Sequence, residues 1–212
     1  STNAITFDDT DTDMQPDFVW LKNRNSSAHD HFLFDSVNGV QQFLSSNDTG
    51  ALASADSSYL TAFNSDGFTL GSSDGMNESG ITFVSWNWKA GTTSGITTNG
   101  STTITPSSYS FSSTSGFSIL KYTGNSTAGA KLAHGIGGCD AFWIKRTPTA
   151  GDDWRTYNRA LGGTKNIKLN SDDQAATGTN IFNDTDPDSV NITLGSHNSA
   201  NASDAMICYA FK

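Results

Sequence analysis

Apolar residues along this chain fall in short runs, broken by turn residues and never sustained at a helical spacing. Phe18–Lys22 and Ala141–Lys145 are apolar runs closed by a cation. Shorter runs follow at His31–Asp35 and Trp154–Asn158, then at Gln41–Leu44 and Asn166–Leu169. Tyr59–Phe63, the turn Asn64-Ser65-Asp66-Gly67 and Phe68–Leu70 read as a hairpin. Val190–Leu194 alternates apolar and polar, as a strand with one buried face does. Ile81–Trp88 and Ala205–Phe211 close the two series. Many short strands with turns between them predict an all-β sandwich or barrel.

The pattern occurs twice. Trp20 meets Trp143, Lys22 meets Lys145, Asp30 meets Asp153 and Lys89 meets Lys212, an offset of 123 residues. Aromatic positions exchange in kind: Phe34 with Tyr157, Trp86 with Tyr209, Trp88 with Phe211. Thr-Leu-Gly-Ser at 69–72 recurs at 193–196 after a one-residue slip. The expected architecture is two tandem antiparallel β-sandwich domains, at 1–90 and 116–212. A Gly/Ser/Thr-rich linker at 91–115 joins them, with edge strands at Thr102–Thr105 and Tyr109–Phe111. The second copy has extra strands in front, at Gly116–Gly124 and Ala130–Ile136. At the common offset the first of these falls before Ser1. The first copy therefore lacks its leading strand, unless Ile5-Thr6-Phe7, an upstream segment or a neighbouring chain supplies it.

Composition narrows the setting. Charged residues make up 16% and hydrophobic residues 35%, so Ser, Thr, Asn and Gly carry the polarity of a loop-rich extracellular-type module. The net charge of −9, with 12 Lys and Arg against 21 Asp and Glu, disfavours nucleic acid and anionic membrane surfaces as partners. No apolar run is long enough for membrane insertion. Cys139 and Cys208 are too few for a zinc site, and Cys208 lies in an apolar strand pattern.

The segments PDFVWLKNR (16–24), FDSVNG (34–39), FNSDGFTLGSS (63–73) and VSWNWKAG (84–91) carry a resemblance. So do GFSILKYTGN (116–125), HGIGG (134–138), FWIKR (142–146), WRTYNRALG (154–162) and CYAF (208–211). Together they resemble a module repeated in virion proteins of tailed, often marine, bacteriophages. The resemblance implies a concanavalin-like, laminin-G-like jelly roll. It also implies a virion-surface or extracellular role in a tail fibre, head fibre or other appendage, with other copies or virion proteins as partners. Cys139 departs from it, standing where copy one has Pro16.

Catalysis is not expected. Glycoside hydrolysis needs two facing carboxylates, yet the chain has one glutamate, Glu78, and no strand of alternating acids. The strongest recognition candidate is Trp154, Arg155, Tyr157 and Asn158, an aromatic and hydrogen-bonding set suited to a host-surface glycan; His31 takes the matching place in copy one. No cofactor is expected, calcium aside. Asp9, Asp11 and Asp13 place oxygen ligands at alternate positions, but the glycine and glutamate of an EF-hand are missing, and a solvated acidic loop is the simpler reading. A self-assembling virion structural protein and a lectin-like binding module are thus the two functional expectations.

Overall fold

The computed structural model describes residues 1–7 and 13–212. It is all-β with antiparallel sheets, consistent with a β-sandwich. The first series is β1 (Asn3–Ile5), β2 (Phe18–Asn23), β3 (Phe32–Asp35), β4 (Gln42–Ser45), β5 (Ala53–Ser54), β6 (Leu60–Asn64), β7 (Gly67–Leu70), the single-turn helix α1 (Asp74–Asn77) and β8 (Phe83–Trp88). The second is β9 (Ser108–Ser112), β10 (Phe117–Thr123), β11 (Ala130–Ala133), β12 (Ala141–Arg146), β13 (Arg155–Asn158), β14 (Lys165–Asn166), β15 (Ala176–Thr177), α2 (Thr179–Phe182), β16 (Asn191–Leu194), α3 (Asn198–Asn201) and β17 (Ala205–Phe211). Among the described residues no helix is long and apolar enough to cross a membrane.

Two five-stranded sheets dominate, in the orders β5-β4-β3-β2-β8 and β13-β12-β17-β10-β9. A three-stranded sheet, β1-β7-β6, faces the first, and the pair β11-β16 faces the second. Strand period explains the layering. On β2, Val19 and Leu21 enter a core with Phe34, Phe68 and Met76, while Phe18 points to the opposite face. There Phe18, Leu33 and Leu44 pack with Phe117, Ile119, Trp154, Ile207 and Tyr209 of the other five-stranded sheet. The third core holds Leu120, Tyr122, Phe142, Ile144 and Cys208. The central strands are therefore covered on both faces, which is why their sequences run continuously apolar instead of alternating.

The two five-stranded sheets also meet through residues that match each other in sequence. Trp20 contacts Trp143 with ring centroids 5.4 Å apart at 90°, and Trp88 contacts Phe211 at 5.8 Å. The contact between the two sheets is thus aromatic at these positions. Polar ties reinforce it. Trp154 Nε1 donates to the Ser45 carbonyl at 2.9 Å, and the Tyr209 hydroxyl donates to Asp35 Oδ2 at 2.7 Å.

The segment 91–115 is held at several points. Thr92 bridges Phe111, Ile104 bridges Leu132, and β9 is the edge strand beside β10. Asp17 ties this segment to the first half, accepting from Ala90 N, Ser36 Oγ and Ser110 Oγ. The extreme N-terminus forms a strand, but on the three-stranded sheet: Ile5 pairs with Phe68, just as Leu132 of β11 pairs with Ile192 of β16. Ile5 thus contributes to the opposite sheet and leaves β8 at the edge of the five-stranded one. Gly67, at φ +110°, closes the β6–β7 hairpin where the Ile5 carbonyl leaves no room for a Cβ.

Candidate functional site

The expected recognition set does not assemble. Trp154 and Tyr157 are both fully buried, so neither ring offers a face to a sugar. Trp154 fills the space between the five-stranded sheets, and Tyr157 stacks on Phe142 at 4.9 Å in the third core. The Tyr157 hydroxyl donates to Asp186 Oδ1 at 3.0 Å. Arg155 and Asn158 sit on opposite faces of β13, as strand period requires. Arg155 lines a polar hollow of about 250 Å³ with Asn166, Lys168 and Asp173. Its Nη atoms donate to Asn166 Oδ1 at 3.1 Å and reach Asp153 Oδ2 at 3.5 Å, while its buried Nε has no partner. Lys168 closes the same hollow by bridging Asp153 and Asp173. Asn158 is exposed and caps its own turn by accepting from Ala160 N.

The acidic expectations divide likewise. Asp9 and Asp11 lie outside the described residues, and Asp13 is exposed. Among the described residues no group of three or more His, Cys, Asp or Glu converges as a metal site. Cys139 and Cys208 are both free and buried. Burial pushes the Cys139 thiol up to about 12, far from the range of a reactive thiolate.

The distinctive surface lies beside β8. Trp20, Trp86, Trp88 and Trp143 line a cleft of about 280 Å³. Trp86 is 45% exposed, the most open large apolar side chain among the described residues. Trp20 meets Trp86 edge-on at 5.5 Å, and Trp143 packs against Phe211 at 4.7 Å. Trp20, Trp88 and Trp143 are half-buried against the layer between the sheets, and with the exposed Trp86 they form a wall open to solvent on one side. Trp86 opens because the first five-stranded sheet ends at β8, with only β2 beside it.

His31, the remaining predicted residue, supports this wall from behind. Its Nδ1 accepts the Trp20 Nε1 proton at 3.0 Å, so the imidazole must be neutral on that nitrogen. Burial, with the Lys22 charge nearby, lowers the His31 pKa against the pull of Asp30 and keeps it so. Asn47 completes the support: its Oδ1 accepts from His31 N at 2.8 Å and its Nδ2 donates to Asp30 at 2.9 Å. The cleft offers dispersion and π contacts over broad, rigid surfaces. Its lining carries no nucleophile and no titratable pair.

Comparison with known proteins gives one match. A family described as Domain of unknown function (DUF7483) matches residues 2–212. The chain belongs to this family. No curated protein and no solved structure matches it.

Proposed function

We propose that this chain is a non-enzymatic structural protein of a virion surface or appendage, which joins copies of itself or neighbouring virion proteins at the open edge of β8. The observation that carries this reading is the edge itself: a strand of a five-stranded sheet left unpaired on one side, with Trp86 exposed next to it. Exposed sheet edges recruit other chains unless they are charged, bulged or covered. Apart from its cap at Thr82, this one presents Phe83, Val84, Trp86 and Trp88 without a charge.

The same proposal takes the chain as two tandem jelly-roll, concanavalin-like copies. Support comes strand by strand. β2 and β12, β3 and β13, and β5 and β15 keep the offset of 123, as Phe18/Ala141, Phe32/Arg155 and Ala53/Ala176 illustrate. Asn77 and Asn201, the last residues of α1 and α3, both clasp a glycine carbonyl, Gly71 O at 2.6 Å and Gly195 O at 2.8 Å. A fibre or decoration subunit outside the cell agrees with the acidic charge and the polar, loop-rich surface.

Sedimentation velocity over a concentration series tests the reading. The chain should associate as concentration rises, and Trp86→Lys should hold it as a monomer. A wild-type chain that stays monomeric throughout would sink the proposal. A second reading, a lectin-like module for a host-surface glycan, is favoured by the open indoles lying next to the Asp30–Asn47–His31 hydrogen-bond chain. Tight binding on a glycan array by an isolated monomer would replace the first reading with this one.

A further inference from the structure

The second half of the chain records what covers a strand in the position of β8. There β17 lies between β12 and β10. β10 pairs with it antiparallel, from Phe117 opposite Phe211 to Thr123 opposite Ala205. Alternate residues of β10 serve two cores. Phe117 and Ile119 enter the layer between the five-stranded sheets, while Leu120 and Tyr122 enter the third core. The Tyr122 hydroxyl donates to the Ala200 carbonyl of α3 at 2.7 Å.

Among the described residues, the first half has the receiving surfaces without the strand. On one side of β8 lies the tryptophan cleft, where Trp86 and Trp88 hold the places of Tyr209 and Phe211. On the other side is a second, mostly apolar cavity of about 140 Å³, lined by Ile5, Leu21, Phe68, Leu70, Met76 and Phe83 among others. Met76 lies in α1 where Ala200 lies in α3, so this cavity occupies the site that Leu120 and Tyr122 fill in the second half. Two cavities, on opposite faces of one unpaired strand, match the two rows of side chains that a single added strand would carry.

We propose that the β8 edge receives an extended polypeptide strand that runs antiparallel to β8 with the apolar alternation of β10. The inference rests on the assembly reading above and specifies its partner. The donor sets apolar residues opposite Trp86 and Trp88, extending the layer between the sheets. It sets a large aliphatic and an aromatic residue opposite Ser85 and Phe83, filling the inner cavity. A second copy of the folded chain is a poorer occupant. Its own β10 is already paired, and β8 against β8 would turn Ser85 and Asn87 toward the apolar cavity.

The probe is a synthetic peptide with the sequence of residues 116–124, GFSILKYTG, offered to the intact chain. Its control carries Leu120→Ser and Tyr122→Ser. The peptide should bind one to one and shift tryptophan emission to shorter wavelength. It should suppress self-association and slow amide exchange across Phe83–Trp88 by at least about tenfold, while the control does none of this. Protection confined to β8 excludes exchange of the peptide into the place of β10. If β8 is unprotected but the chain still associates in a Trp86-dependent way, the donor inference is overturned and the assembly reading stands. If β8 is unprotected and the chain remains monomeric, both fall. Equal binding of the control peptide would overturn the claim that the inner cavity is filled by the donor.

Discussion

β8 and β17 are matched strands with different fates. β17 has a neighbour on each side, and Met206 to Ala210 are all fully buried. β8 has one neighbour, and none of its six residues is fully buried. Their sequences register the difference on the inner row: Cys208 and Ala210 in β17 stand where β8 has Ser85 and Asn87. The outer row stays aromatic in both, with Tyr209 and Phe211 against Trp86 and Trp88. An aromatic residue is thus core in one half and surface in the other, and the deciding variable is the strand beside it.

The sharpest way to break this comparison is to truncate matched residues. Trp154→Ala should cost about 3–5 kcal/mol in urea unfolding, because it empties the layer between the sheets and strands the Ser45 carbonyl. His31→Ala at the matched position should cost about 1 kcal/mol or less, since the freed Trp20 Nε1 proton sits in a half-buried contact that water can reach. Similar losses at the two sites would mean that the inter-sheet layer is not a core.

Tyr209→Phe comes next, at about 1–3 kcal/mol, because it removes a hydrogen bond from the fully buried Asp35. Burial already raises the Asp35 pKa, against hydrogen bonds from Asn38, Tyr209 and Val37. The folded state therefore keeps a proton that the unfolded state releases, and stability falls as pH rises above the ordinary carboxylate range. Losing the Tyr209 donor raises that pKa further, so Tyr209→Phe should extend the fall to higher pH. Unfolding measured from pH 4 upward checks the slope; a flat profile in both proteins would contradict the assignment.

Exchanging the inner rows tests the edge directly. Cys208→Ser places an unpartnered hydroxyl in a sealed core and should cost about 1–3 kcal/mol. Ser85→Cys should change stability by about 0.5 kcal/mol or less, as at other half-exposed sites. Trp86→Lys should be comparably mild. It should shift the unfolding midpoint by the equivalent of about 0.5–1 kcal/mol, while removing concentration-dependent association. A large loss of stability there would mean that Trp86 already belongs to a closed core.

Strand positions were legible because apolar runs and turn residues are local signals. The run Phe18–Leu21 and the Asn64–Gly67 turn landed on β2 and the β6–β7 hairpin. Exposure was not legible, since it depends on sheet order. Trp154 and Tyr157 looked like a platform because polar neighbours flank them, yet the first five-stranded sheet covers Trp154 and α2 covers Tyr157. The exposure of Trp86 was equally illegible in its apolar strand, although Ser85 and Asn87 mark one row of β8 as partly wet. The N-terminal Ile5 misled in a similar way: its alternation suits an added strand, but only tertiary contact with β7 decides which sheet it joins.

The contact of Trp20 with Trp143 has a consequence for valence. Two separate subunits meeting about a two-fold axis must be identical, so an opening on one is an opening on both, and each pair can bridge two neighbours. Fusing the partners into one chain removes that constraint. Here one five-stranded sheet continues past β17 to β10 while the other ends at β8, so docking at β8, as proposed, would have a single point and a direction.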